Sequence, residues 1–271
     1  ILIMQSAFKK ILFSLVSLFL GHALVFAASS PHLALTANPS AQYNERDDFV
    51  KANVLWIFYH EMAHALIHQL ELPVLGKEED AADHLAILLS DELWDEEQAD
   101  QINSYASSAF WVAGKTAEEP APWWDEHSTD QQRHFTVACL YYGGDPEGRK
   151  NVIEAVGIPT ERAELCIQER ELLNYSWGGV LDQLANPKNE YSHKLKFENR
   201  SSLAKRTATT ELIVKALADE VTALNQHFSL PSQLALVVMD CGEENVFYDL
   251  DKKEIQICSE YSNFLDRLYH Y

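Results

Sequence analysis

The stretch between residues 45 and 72 most restricts how this chain can fold, because it holds no glycine or proline and Pro73 ends it. Apolar residues on both sides of His60-Glu61-Met62-Ala63-His64 predict one long buried helix there. Two histidines four residues apart lie on one face of a helix, so both imidazoles can reach the same Zn²⁺. Glu61 lies beside them, where its carboxylate can take a proton from a water on the metal. The pattern predicts a zinc site with a general base; the alternatives are chance, or two histidines that are only hydrogen-bonded.

A second amphipathic helix is predicted at about residues 77–93, so the two zinc helices together span residues 45–93. Glu79 and Asp83 lie four residues apart beside its apolar stripe, where a carboxylate is costly unless it is paired or binds a metal. We therefore expect Glu79 to be the third ligand, and Asp83 to accept the second N–H of a ligating histidine. Glu78 is the rival ligand, but only Glu79 is followed by an acidic residue four positions later.

Residues 125–133 supply further candidates for the same site. His127 could donate a hydrogen bond to the oxyanion that forms when water attacks a carbonyl; the alternative is a surface histidine in a loop. Ser128 is expected to cap the helix that follows. Arg133 is expected to pair with Asp125 or Glu79, or to hold a substrate carboxylate.

The motifs resemble those of the gluzincin metallopeptidases, the thermolysin-like clan, in which H-E-x-x-H is followed by a helical E-x-x-x-D. The longer string from His60 to Leu89 is similar to an uncharacterised bacterial family of metallopeptidase-like proteins, and so are residues 125–133 and the tail with Cys241 and Cys258. The resemblance implies a zincin-like metallopeptidase domain, and together with the helical and strand-like patterns of the chain it predicts an α+β fold, mainly helical with a small C-terminal disulfide-stapled β-hairpin. It also implies Zn²⁺ as cofactor and a peptide or protein as substrate.

The N-terminal residues predict export. Lys9-Lys10 precedes an apolar run over residues 11–26, and Val25 and Ala27 are small residues at the −3 and −1 positions of a cleavage site. A membrane anchor is the alternative, but the run is short for a span. We expect a signal peptide over residues 1–27 and an exported protein, periplasmic or extracellular, without a stable membrane anchor after cleavage. Residues 28–271 are expected to form a single metallopeptidase-like domain.

Charge limits the partners of the protein. The chain carries 21 basic and 41 acidic side chains, for a formal net charge of −20 at pH 7. Nucleic acid and anionic lipid both attract positively charged proteins, so neither is expected as a partner. The sequence leaves the oligomeric state unknown.

The four cysteines all follow the predicted signal peptide. Four cysteines allow three pairings, and neighbourhood in sequence favours Cys139–Cys166 and Cys241–Cys258. On the chain-entropy model each disulfide would stabilise the fold by about 3 kcal/mol. A cysteine-rich metal site is the alternative, but no C-x-x-C spacing occurs.

Most of the chain is expected to be helical, with a polar surface connection at residues 186–206. The region 230–271 differs, because strand-like runs at 234–239 and 254–257, a short segment at 246–248 and a turn at 249–253 predict a β-hairpin. The helices are expected near residues 45–70, 77–93, 95–113, 128–142, 147–156, 160–174 and 203–228.

These observations together predict metal-assisted hydrolysis of peptide bonds, with Zn²⁺ on His60, His64 and Glu79 and with Glu61 as general base. One alternative is a zinc-containing binding or regulatory protein with little turnover. The other is an amidase that acts on cell-wall peptides.

Overall fold

The computed structural model describes residues 44–119, 121–188, 190–204 and 206–271. The predicted signal peptide lies outside these residues. The described chain is mainly helical with a small C-terminal sheet, which confirms the expected α+β class. Its elements are α1 (Glu45–Leu70), α2 (Glu78–Glu92), α3 (Glu96–Thr116), α4 (Asp130–Gly144), α5 (Lys150–Val156), α6 (Thr160–Ala185), β1 (Lys196–Asn199), α7 (Ala208–His227), β2 (Ala235–Met239), β3 (Val246–Asp249), β4 (Glu254–Cys258) and α8 (Tyr261–His270).

Helix α1 lies at the centre of the core. It contacts α2, α3, α7, α8 and the strands β3 and β4, so apolar side chains are buried around its whole circumference, among them Phe58, Ala63 and Leu66. The helix ends where Glu71 adopts a left-handed conformation with φ 51°. Most of the H-E-x-x-H segment is therefore buried, and only His64 within it is partly exposed.

Helix α4 begins one residue later than the cap expected from the sequence. Thr129 is the N-cap, and it forms a capping box with Gln132, whereas Gln131, three residues after Ser128, donates its side-chain amide to the Gly114 carbonyl. The expectation that Ser128 caps this helix is wrong. The Ser128 hydroxyl instead donates to Asp80 Oδ1 at 2.7 Å, and this bond ties the start of α4 to α2.

The sheet has the strand order β1-β2-β4-β3, with β1, β2 and β4 parallel and β3 antiparallel to β4. Strands β3 and β4 form the expected hairpin, but it belongs to a four-stranded sheet. Strand β1 lies inside the region predicted to be a polar connection, because its short polar sequence gives no strand signal and its pairing depends on the main chain of β2. Edge strand β3 packs along α1.

Two helices differ from the expected ones. Helix α6 continues to Ala185, well past the predicted end near residue 174, although it contains Gly178 and Gly179. Glycine costs about 1 kcal/mol in a helix, and burial of Trp177 and Leu181 offsets that cost. Helix α8 was not expected, and it buries Leu265 and Leu268.

Both disulfides expected from sequence neighbourhood are present. Cys139–Cys166 joins α4 to α6, and Cys241–Cys258 joins the segment after β2 to the end of β4. Structural disulfides are typical of proteins that fold in an oxidising compartment. Within the described ranges, every helix lacks the apolar length needed to cross a bilayer.

A buried carboxyl on α7 makes the stability of the fold depend on pH. Glu220 is 5% exposed and accepts a hydrogen bond of 2.7 Å from the Tyr59 hydroxyl, which accepts one of 2.9 Å from Trp94 Nε1. Burial raises the pKa of Glu220 to about 7. The folded protein therefore holds this proton more tightly than the unfolded chain, and its stabilising contribution is lost as the pH rises from about 4.5 to 7.

We expect Glu220→Gln to stabilise the protein at pH 8, by roughly 2–3 kcal/mol, and to have little effect at pH 5. Glutamine keeps an acceptor for Tyr59 without a charge to bury. Denaturant unfolding at pH 5, 6, 7 and 8 measures the difference, with exposed Glu211→Gln on the same helix as control. A gain that does not depend on pH would contradict the assignment.

Candidate metal centre

Three histidine rings and one carboxylate meet at the middle of α1. His60 Nε2 lies 3.1 Å from Glu79 Oε2, and His64 Nε2 lies 3.3 Å from His60 Nε2 and 3.4 Å from Glu79 Oε2. His127 Nε2, from the loop before α4, lies 2.9 Å from the same Glu79 oxygen. The donor atoms of His60, Glu79 and His127 all lie within 4.8 Å of one another. All three Nε2 atoms thus lie within 3.4 Å of one oxygen of Glu79, although His64 lies outside the group of donors that are all mutually close.

The other ring nitrogen of each histidine faces a carboxylate. An ionised carboxylate only accepts hydrogen bonds, so Nδ1 of each ring carries a hydrogen, and a ring that loses its Nε2 hydrogen to a metal presents a lone pair there. Carboxylates in this position orient metal-ligating histidines and fix their tautomer. The pairs are His60 with Asp83 at 2.8 Å, His64 with Glu78 at 2.8 Å and His127 with Asp125 at 3.4 Å.

This arrangement fits a divalent metal ion. With Nδ1 protonated, the Nε2 lone pairs of neutral His60 and His64 face each other and an oxygen of Glu79, so acceptors oppose acceptors. A cation among these atoms satisfies all of them at once. Tetrahedral nitrogen and oxygen ligands at about 2.0–2.1 Å from a metal lie about 3.3 Å apart, close to the three separations within this set.

The pKa values of the cluster reflect the same crowding. Burial lowers the pKa of His64, but hydrogen bonds with Glu79 and Glu78 raise it to about 9. Burial raises the pKa of Glu79, but hydrogen bonds with the three histidines hold it well below its usual range. Protons thus compete for the positions that a metal would use, so metal affinity should fall at acidic pH.

Arg133 fixes the ring of His60 through Asp83. Its Nε donates to Asp83 Oδ2 at 2.8 Å and its Nη2 donates to Asp83 Oδ1 at 2.6 Å. Burial raises the pKa of Asp83, but the Arg133 charge and the His60 hydrogen bond lower it to about 2. The expected pairing of Arg133 with Asp125 or Glu79 is wrong, because Asp83 is 3% exposed and a buried carboxylate needs a charged partner.

Glu61 lies beside the cluster and is 6% exposed. Burial raises its pKa, while the charges of His60 and His64 and a hydrogen bond from the backbone of Tyr248 oppose the rise. Tyr248 belongs to β3, and its hydroxyl lies 2.9 Å from His68 Nδ1. The sequence predicted the strand but gave no sign that it lies against Glu61.

The loop that carries His127 is bound by Lys77, the residue that precedes α2. Lys77 Nζ, just before that helix, donates to the carbonyl oxygens of Asp125 and His127 at 3.2 and 2.9 Å. The His127 backbone N–H donates to Asp125 Oδ1 at 2.8 Å. Its side chain remains 42% exposed, so His127 forms the open side of the site while His60 lies at its buried side.

Comparison with known proteins identifies the family. A family model described as "Putative metallopeptidase" matches residues 22–181 and 197–270, and these ranges include His60, Glu61, His64, Glu79 and His127. No curated protein and no solved structure is significantly similar to the chain. Since the matched ranges cover most of its length, the chain belongs to this family of metallopeptidase-like proteins.

Proposed function

We propose that this protein is a zinc-dependent peptidase that hydrolyses peptide bonds, with Zn²⁺ held by His60, His64 and Glu79. One observation carries the proposal: histidine Nε2 atoms converge on a single oxygen of Glu79, beside the buried carboxyl of Glu61. Mixed imidazole and carboxylate ligands are the set that catalytic zinc takes in hydrolases.

We assign His127 to the substrate rather than to the metal. A catalytic zinc site keeps one position open beside three protein ligands, whereas four protein ligands close it. His127 suits the open side, because it comes from a half-exposed loop and Asp125 holds its Nδ1. The hydrogen bond with Glu79 raises the pKa of His127, so the protonated ring would carry a hydrogen on both nitrogens, and its Nε2–H would donate to the carbonyl oxygen as negative charge develops there.

Each residue of the site has a separate task in the proposed reaction. When bound, zinc would polarise the scissile carbonyl and lower the pKa of the attacking water towards roughly 7. Glu61 accepts a proton from that water and passes it to the leaving amine. Asp83 and Glu78 keep His60 and His64 in the tautomer that presents Nε2.

Digestion of a denatured protein tests the proposal. The purified protein should cleave it, a chelator should abolish cleavage, and added Zn²⁺ should restore it. One bound metal per chain without cleavage would favour the zinc-containing binding or regulatory protein. Cleavage confined to a peptidoglycan digest would favour the cell-wall amidase.

We also propose that the protein acts in the periplasm or outside the cell, as a single domain spanning residues 28–271. Two disulfides and the basic-then-apolar N-terminal pattern support export. N-terminal sequencing of the exported protein should begin at Ala28 or Ser29. A chain that retains residues 11–26 would contradict signal cleavage.

A further inference from the structure

A cavity of about 420 Å³ opens beside the candidate metal centre. Trp56 lines it and stacks on His60, with ring centroids 6.0 Å apart and an interplanar angle of 23°. Arg133 lines it too, and binds the carboxylate that orients His60. Trp56 precedes His60 by four residues, so the cavity continues along the α1 face that carries this histidine.

The walls of the cavity are mainly apolar. Small alanines of α3 leave the space open, and aromatic and aliphatic side chains of α8 close its far side. Apolar walls with a few polar groups are typical of sites that bind organic ligands. The walls include Ile57 of α1, Ala109 and Ala113 of α3, and Tyr261, Phe264 and Leu268 of α8.

A hydrogen-bond donor in the wall lacks a partner. Trp56 is 2% exposed, and its Nε1 has no hydrogen-bond partner among the described residues. This nitrogen is covered by protein atoms, so a ligand in the cavity would contact the ring of Trp56, and the indole N–H would report that contact.

Charge excludes some ligands. Asp130 lines the cavity and is half-buried, so an acidic side chain would meet like charge there. The Arg133 guanidinium is bound bidentately by Asp83 and stacks on Phe110, with its central carbon 4.0 Å from the ring centroid. Since Asp83 already neutralises that cation, the charges of the wall disfavour acidic side chains, and the apolar walls favour uncharged ones.

We propose that this cavity binds a large apolar or aromatic side chain of the substrate, next to the bond that is cleaved. The chemical class of the ligand rests on the proposed peptidase function, whereas the cavity can be tested by binding alone. Helix α8, at the C-terminal end of the described chain, then acts as the specificity wall of the site.

Capped peptides Gly-Gly-Xaa-Gly-Gly, with Xaa as Gly, Ala, Leu or Phe, test this inference. In the wild type, kcat/KM should be at least tenfold higher for the Leu and Phe peptides than for the Gly peptide. Ala113→Leu fills the cavity and should lower kcat/KM for the Phe peptide at least tenfold, while the Gly peptide changes less than about threefold. Ala155→Leu, on the exposed face of α5, is the matched control and should change neither.

Binding is measured separately in the Glu61→Gln background. The indole N–H resonance of Trp56, identified by its loss in Trp56→Phe, should shift saturably with the Leu and Phe peptides. Ala113→Leu should abolish this shift, and Ala155→Leu should retain it. This result supports the cavity even if no peptide is cleaved, and the missing cleavage then counts against the peptidase function alone.

Three results would overturn the cavity assignment: no Trp56 shift in the protein without the Ala113→Leu change, a shift in Ala113→Leu equal to the one without it, or cleavage that does not depend on the side chain. Phe264→Ala provides a second variant in case Ala113→Leu does not fold. It enlarges the cavity, and when a Trp peptide is added to the series the preference should shift from Phe towards Trp at Xaa. An unchanged preference in a folded Phe264→Ala protein would also contradict the proposal.

Discussion

Replacing Glu61 by glutamine is expected to lower kcat by about 10²–10⁴-fold while the metal content stays the same. Glutamine has nearly the shape of glutamate and can still accept the backbone hydrogen bond from Tyr248. It cannot take a proton from water, so the loss should fall on kcat with little change in KM. Steady-state kinetics and metal analysis of the same preparation provide both measurements.

A matched control separates loss of the base from loss of charge. Glu97→Gln removes a carboxylate from the exposed face of α3 and should leave kcat within about twofold. A Glu61→Gln protein that retains normal turnover would refute the role of Glu61, and the non-hydrolytic alternatives would then gain support. If Glu61→Gln lost its metal instead, the loss of activity would result from a disrupted metal site and would not test Glu61 as the base.

The parts of the site that follow from local spacing could be predicted from the sequence. His60 and His64 share a face because they lie four residues apart on α1, and Glu79 meets them because α2 runs beside that face. The pairing of Asp83 with a ligating histidine was also expected from helical spacing, and the structure shows that this histidine is His60, at 2.8 Å. Within one pair of helices, periodicity carries most of the information.

Contacts between distant segments could not be predicted in this way. Arg133 reaches Asp83 across fifty positions, and Tyr248 approaches Glu61 from a strand near the other end of the chain. Such contacts depend on how α4 and β3 pack on α1. From the sequence, Glu78 was considered only as a rival ligand. In the structure the Glu78 carboxylate lies 2.8 Å from His64 Nδ1. The apolar pattern of residues 261–270 is too short for helix α8 to be recognised from the sequence.

Removal of a ligand should have the largest effect on metal binding. We expect wild-type protein purified without added metal to carry about one Zn²⁺ per chain, and His64→Ala and Glu79→Ala to lose nearly all of it. Each variant removes one of two proposed ligand atoms, His64 Nε2 or Glu79 Oε2, which lie 3.4 Å apart. Mass spectrometry measures the metal content, and circular dichroism confirms that the helices remain. Equal zinc in the wild type and in these variants would disprove the assignment of the site.

Replacing the residues around the ligands should reduce zinc affinity less than replacing the ligands themselves. The order of these losses distinguishes the tasks of the residues. Asp83→Ala and Glu78→Ala each remove a carboxylate that orients a ring, so zinc affinity should fall by roughly 10–100-fold without being lost. Asp83→Ala should be the more damaging, because it also leaves the buried charge of Arg133 unpaired. His127→Ala should keep the zinc and lose turnover, since we place that ring on the substrate. Zinc affinity is measured by competition with a chromogenic chelator. If His127→Ala loses zinc as fully as His64→Ala does, His127 is a ligand, and the open position of the site must be sought elsewhere.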